Sequence, residues 1–248
     1  MLKATAIGTA EVGTGRLIKA GHEMRIAIIG AGRVGKSLGA ALRATRHRIV
    51  YGVRSDELSA RPVHGGGEDM ETIGGAIAGS DAVILAIPWT STEAIVCEHA
   101  RALTGKIVID ATNPLNATSS RLALGFDSSG VEILQSHAQG ATFFKTFNAA
   151  GADAIAQPSY PQGRAVMFVA GPAGPQKQAV LGLVDDVGFE AVDAGELRAA
   201  RLLEPLGMLC LELAAQGRKG DFAFVLASRE PAEVEAEHPC AVVALGAG

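Results

Sequence analysis

Three glycines in the stretch Met24-Arg-Ile-Ala-Ile-Ile-Gly30-Ala-Gly32-Arg-Val-Gly35-Lys-Ser carry the clearest chemistry in this chain. Their spacing is G-x-G-x-x-G. The apolar run before them, residues 25–29, reads as a buried parallel strand. After them Val34, Leu38, Ala41 and Leu42 recur at helical spacing. The glycines therefore fall at a strand-to-helix turn, where such a loop holds a dinucleotide pyrophosphate. Gly30 permits the tight turn, Gly32 lets the backbone approach a phosphate, and Gly35 lets the helix pack on the strand. The helix start adds unpaired N–H groups and a positive dipole end. Ala31, Arg33 and Val34 complete the loop. The same stretch also satisfies G-x-x-x-x-G-K-[ST] through Lys36 and Ser37, a P-loop pattern in which the lysine reaches β/γ-phosphates and the serine holds magnesium. The pattern alone leaves both readings open.

A second group lies about 20 residues on. A site for NAD wants an acid there for the ribose 2′-hydroxyl. Here residues 48–53 read as the second strand and end in Arg54-Ser55, with no acid before Asp56. An arginine fork pairs with a 2′-phosphate, and a serine hydroxyl adds a donor, which favours NADP over NAD. Further strands are expected at 81–87, 106–110, 141–147, 165–170 and 190–193. Ligands of an open parallel sheet bind at carboxyl strand ends. Ile87-Pro88-Trp89, Asn113-Pro114 and Phe147-Asn148 all fall there. Trp89 either covers the next helix, 91–103, or touches a ligand.

The elements between these positions are expected as follows. Residues 59–67, with Pro62 and three glycines, form a turn-rich connection. Glu68, Asp69 and Glu71 load the start of a helix running to Ala78, as dipole complements without a catalytic role. Residues 116–130 form a long, mobile connection of the kind that serves as a lid. Helices follow at 176–187 and 196–215, the latter interrupted at Pro205. The fold class is α/β: a Rossmann-like, doubly wound, mostly parallel sheet with helices on both faces. Residues 24–228 form one dinucleotide-binding domain. Residues 1–23 are a disordered extension, Met24 being the functional beginning, and 229–248 a disordered acidic tail.

Composition narrows the partners. The 248 residues carry a net charge of −4, which gives no basic surface for nucleic acid. No apolar run approaches the roughly 20 residues of a membrane span. The three cysteines, Cys97, Cys210 and Cys240, form no metal or redox pattern, so a reducing, cytoplasmic setting is expected. The histidines show no metal-ligand spacing. The apolar last helix offers a surface for a homodimer.

Taken together, the glycine loop, Gly52-Val-Arg54-Ser55, Ala86-Ile-Pro-Trp89, Asp110-Ala-Thr-Asn-Pro-Leu115, Lys145-Thr-Phe-Asn148 and Leu203-Glu-Pro-Leu206 resemble the NADP oxidoreductases dependent on the deazaflavin coenzyme F420. They are most similar to the bacterial relatives often called predicted dinucleotide-binding enzymes. The likeness spans residues 24–228. It implies NADP binding, with a flavin-like ring (F420 or a flavin) stacked near the nicotinamide. By position it assigns the pyrophosphate to Gly30, Gly32, Arg33, Val34 and Gly35, and the 2′-phosphate to Arg54 and Ser55. It assigns the nicotinamide side to Ile87, Pro88, Trp89, Asn113 and Pro114. Archaeal members carry histidine where Phe147-Asn148 stands here, which leaves the hydride acceptor open. The resemblance also favours the dinucleotide over the P-loop reading.

Hydride transfer between two rings needs mainly proximity, with reacting carbons about 3–3.5 Å apart. Neither Tyr51 nor Tyr160 has a lysine four residues on, so the Tyr-Lys pair of carbonyl reductases is absent. Were the acceptor a carbonyl or an imine, His137, Lys145 and Glu204 would be the acid–base candidates. A third reading is an NADPH-binding redox sensor without turnover.

Overall fold

In the computed structural model, which describes residues 22–59, 69–217 and 221–229, strands alternate with helices through the first half of the chain. β1 (Arg25–Ile29) leads through the glycine turn into α1 (Arg33–Thr45). β2 (Arg48–Val53) and the short α2 (Ser55–Ser59) follow. Then come β3 (Asp69–Thr72), α3 (Ile73–Ala78), β4 (Ala82–Leu85), α4 (Trp89–Leu103) and β5 (Ile107–Asp110). After a long irregular passage come α5 (Gly130–His137), β6 (Thr142–Lys145) and α6 (Ala152–Ala156). The second half holds β7 (Ser159–Tyr160), β8 (Gly163–Arg164), β9 (Val166–Val169), α7 (Pro175–Val187), β10 (Glu190–Asp193) and α8 (Ala200–Ala215). The expected extension at 1–21, the glycine-rich turn at 60–68 and the tail from 230 lie outside the described residues.

Six strands pair in parallel in the order β3-β2-β1-β4-β5-β6. The order reverses at β1, and the carboxyl ends of β1 and β4 diverge there into the crevice that binds ligands in such sheets. The central strands are apolar on both faces because helices cover both. Ile26, Ile28, Ile84 and Ile109 enter one core with Leu38, Leu42 and α7. Ala27, Ile29, Val83 and Val108 enter the other with Ala76, Val96 and Leu134. Among the described residues no helix is long and apolar enough to cross a membrane.

Several expectations are corrected. The acid-rich start of the 68–78 helix is instead β3, an edge strand carried by its pairing with β2; only Ile73–Ala78 is helical. Glu71 faces Arg25 across the sheet edge at 2.6 Å, an interaction with no helical register. β6 stops at Lys145, because Phe147 adopts a left-handed φ of 61° that ends the ladder. β9 and β10 pair in parallel as a separate small sheet, joined to β6 by the antiparallel bridge Lys145–Ala170. Pro205 does not interrupt α8, which runs from 200 to 215. The hydrogen bond it withholds is compensated by anchors around it: Arg201 on Glu132, Glu204 on Gly130, and the Leu203 carbonyl on Asn148. The passage through 116–121 is a hydrogen-bonded turn about the Asn116 carboxamide, which accepts from Ser120 N and Arg121 N.

One close approach tests the packing of α1 on the sheet. A Cβ at Gly39 would lie 2.1 Å from the Tyr51 hydroxyl, and that ring is fully buried. Gly39→Ala is expected to lose about 1–3 kcal/mol of stability in urea unfolding, although alanine gains about 1 kcal/mol of helix propensity. An unchanged midpoint would mean that the ring has room to move.

Candidate functional site

Two adjoining cavities open at the carboxyl edge of the sheet. One, of about 470 Å3, runs over Gly30-Ala31-Gly32 to Arg54 and is walled by Ile73, Ile87 and Ile95. The other, of about 330 Å3, lies between Trp89, Asn113, Phe147 and Asn148 on one side and Gly207, Cys210 and Leu211 of α8 on the other. Ile87 and Pro88 line both, so they form one cleft pinched at the end of β4.

The glycine turn is built for a group that approaches the backbone. Gly30 has φ +106°, and a Cβ there would meet the Ala86 carbonyl at 2.5 Å. A Cβ at Gly35 would lie 2.1 Å from the Gly30 carbonyl. Any larger residue at either position breaks the contact between turn, helix and β4. At Gly32, by contrast, a Cβ would meet nothing within 4 Å, so the middle glycine leaves open ground in front of the α1 amides. The first turn of α1 holds no acidic residue, so its positive end stays unneutralised. These features fit a dinucleotide pyrophosphate. Arg33 departs from the expected picture: its guanidinium is exposed and paired with Asp153 at 3.0 Å. Arg54 likewise pairs with Glu57 at 2.7 Å and, more loosely, with Asp56 at 3.5 Å, while remaining 67% exposed. Ser55 lines a shallower hollow beyond Arg54, with Thr72 and His99.

Among the described residues the P-loop reading finds no acidic partner for a magnesium. Lys36 is exposed one turn into α1, the neighbouring β4 ends in apolar Leu85, and Asp110 is sealed inside the protein. Asp110 Oδ2 accepts from Lys145 Nζ at 2.8 Å, and Asp110 Oδ1 accepts from Thr112 N at 3.0 Å.

The three acid–base candidates part company. His137 lies at the end of α5 against Glu93, at 2.9 Å, and does not line the cleft. Lys145 and Glu204 are buried behind the second cavity. The ammonium sits between Asp110 (2.8 Å), Glu204 (2.9 Å) and the Thr112 carbonyl (2.6 Å). Glu204 also accepts from Gly130 N, through both oxygens at 3.0 Å. Burial opposes the charge on Lys145, but the two carboxylates prevail and hold its pKa above the ordinary lysine value. Burial pushes the Glu204 carboxyl above the usual range, and Lys145 offsets only part of that.

The remaining predicted residues divide between cleft and support. Phe147, Asn148 and Asn113 line the second cavity, while Pro114 is buried and lines neither. The two asparagines interlock: Asn113 Nδ2 donates to the Asn148 carbonyl (2.8 Å) and Asn148 Nδ2 to Asn113 Oδ1 (2.9 Å). The α8 wall was not foreseen. Its signal was present in the small residues Gly207 and Ala214, seven apart on one helix face. A Cβ at Gly207 would lie 2.5 Å from Asn113 Oδ1, so glycine sets how closely α8 shuts on the sheet.

The strand order, the glycine turn and the cleft define a Rossmann-type fold of the dinucleotide-binding class. Residues 25–114 match the model of the family described as NADP oxidoreductase, coenzyme F420-dependent. A crystal structure from Arthrobacter sp. FB24, provisionally described as an F420-dependent NADP-reductase, superposes with a TM-score of 0.75 at 25% identity, over 83% of this chain and 100% of that one. A hypothetical protein from Sinorhizobium meliloti superposes with a TM-score of 0.60 at 29% identity, over 71% and 87%. The imine reductase of Streptomyces aurantiacus shares the fold, with a TM-score of 0.55 at 18% identity over 77% and 63%. The resemblance drawn from the sequence holds: this is an NADP-dependent oxidoreductase.

The buried charges generate a pH test. Glu204 has a folded pKa above its unfolded value of 4.5, so between those values the folded state keeps a proton that the unfolded chain has released. Stability should therefore fall as pH rises through that window, above 4.5, and Glu204→Gln should remove that slope in urea unfolding. Lys145→Ala strands two carboxylates and should cost about 3–5 kcal/mol at neutral pH.

Proposed function

We propose that the protein transfers a hydride between NADP(H) and a flavin-like ring, of the flavin or deazaflavin F420 type. The nicotinamide end of the cofactor lies at Ile87-Pro88 and the acceptor ring in the cavity beside it. When bound, the nicotinamide supplies or takes up the hydride. The glycine turn and the α1 amides hold the diphosphate, and Arg54 with Ser55 takes the 2′-phosphate. Arg54 then exchanges the Glu57 carboxylate for a phosphate of the same fork geometry.

The observation that carries this reading is the character of the second cavity. Among the described residues its lining includes no Asp, Glu, Lys, Arg, His or Tyr. Its one titratable side chain, Cys210, donates its thiol to the Ala149 carbonyl at 3.3 Å, and burial pushes that thiol up. Reducing a carbonyl or an imine needs a proton placed on oxygen or nitrogen during the transfer. Among the described lining residues the only such protons are those of the Cys210 thiol, engaged with Ala149, and the weakly acidic Thr112 hydroxyl, while Lys145 and Glu204 are engaged with each other behind the wall. A ring acceptor takes both electrons with the hydride and its proton from solvent at the open mouth. Walls of Trp89, Phe147 and Leu211 suit a flat apolar ring, and about 330 Å3 falls within the range of small-molecule sites.

An acceptor screen with NADPH tests this directly. Oxidation followed at the nicotinamide absorbance should be faster with flavins or F420 than with aldehydes, ketones or cyclic imines. Tight NADPH binding without turnover of any of them would make the protein a sensor instead. Arg54→Ala should weaken NADP+ by about 1.5–3 kcal/mol and leave NAD+ nearly unchanged in calorimetry. Equal losses for both nucleotides would remove Arg54 from the phosphate site.

A further inference from the structure

The second cavity contains a side-chain acceptor with no partner. Asn148 is more than nine-tenths buried yet lines that cavity. Its amide orientation is forced, because Nδ2 lies 2.7 Å from the Leu203 carbonyl and 2.9 Å from Asn113 Oδ1. Both neighbours only accept, so both Nδ2 hydrogens are engaged. Asn113 is fixed in turn, its Nδ2 donating to the Asn148 carbonyl. Neither carboxamide can flip without setting oxygen against oxygen. That leaves Asn148 Oδ1, which receives no hydrogen bond among the described residues, on a residue that lines the cavity. Just before it the chain turns out of β6 at Phe147, whose left-handed φ of 61° is unfavourable for a bulky residue. The Phe147 ring is held against Phe189, which steadies that turn.

We infer that Asn148 Oδ1 is the group by which the apolar cavity selects its ligand, accepting a hydrogen bond from an amide-type N–H on the ring held there. This rests on the proposed cofactor and acceptor placement. Rigidity gives the selection its strength. A locked acceptor cannot turn aside, so a ligand that meets it with a methyl group buries it unpaired. The required N–H has two sources of one chemistry: the carboxamide of the nicotinamide, or the imide N–H of a flavin-type ring.

The test pairs each source with an analogue lacking the N–H. On the wild-type protein, dissociation constants are measured for NADP+ against its 3-acetylpyridine analogue. With NADP+ present, they are measured for flavin mononucleotide against its N3-methyl derivative. One pair should differ by about 10- to 100-fold, and the pair that does identifies the source. In Asn148→Ala that difference should collapse to within about threefold, while the unmethylated ligand loses less than its analogue gains in relative terms. Asn148→Ser, which keeps a small polar group, serves should the alanine variant not fold. Equal binding within both wild-type pairs, or discrimination that survives in the variants, overturns the inference. These are binding measurements, so absent turnover with flavins would count against the proposed reaction and leave this result readable.

Discussion

A single ammonium group, fully enclosed, ties the second half of the cleft together. Lys145 at the end of β6 meets Asp110 of β5 and Glu204 of α8, and Glu204 reaches on to the first amide of α5. Burying three charges is costly, and geometry this close is what offsets the cost. What the cluster supplies is arrangement. β5 delivers Thr112 and Asn113 to the cavity floor, β6 delivers Phe147 and Asn148, and α8 closes the wall. All of these are referred to one nitrogen. The Arg201–Glu132 pair repeats the α8-to-α5 link nearer the surface, where it contributes less.

The two halves of the cleft rest on different physics. The diphosphate half is made by backbone: glycines that admit close approach, helix amides and an uncompensated dipole end. It is insensitive to most side chains and general to the fold. The other half is made by side chains brought from β5, β6 and α8, mostly apolar, with the interlocked asparagines, Thr112 and Cys210 as its polar members. The first half is thus a property of one βα unit, whereas the second depends on how distant segments meet. The match of the family model to residues 25–114 covers the first half together with Trp89, Thr112 and Asn113 of the second, and stops short of β6 and α8.

That division also governs what could be read from the sequence. The glycine turn, Arg54 and the strand ends at Ile87, Asn113 and Asn148 were legible because each is a local pattern at a known place in a parallel sheet. The Lys145 cluster was not, since its partners lie 35 and 59 positions away and only the fold joins them. β3 is not legible as a strand, because its acids resemble a helix start and an edge strand shows little of the apolar alternation that marks a buried one. α5 was missed although Ser129-Gly-Val-Glu132 spells a capping box. The Ser129 side chain accepts from Glu132 N and also donates to that carboxylate. Pro205 misled for a complementary reason: propensity is local, and the anchors that carry α8 across it are not.

Trp89 has a consequence of its own. It is the sole indole in 248 residues, and it stands in the wall of the second cavity, at the first turn of α4 and against Gly130. Emission excited at the red edge of the indole band, where the two tyrosines scarcely absorb, therefore comes from a single lamp in the wall of that cavity. Its colour and brightness follow the polarity and the neighbours of one spot, with no second indole to dilute the signal. The fold thus carries its own optical gauge of what enters the cleft, with no dye or label attached.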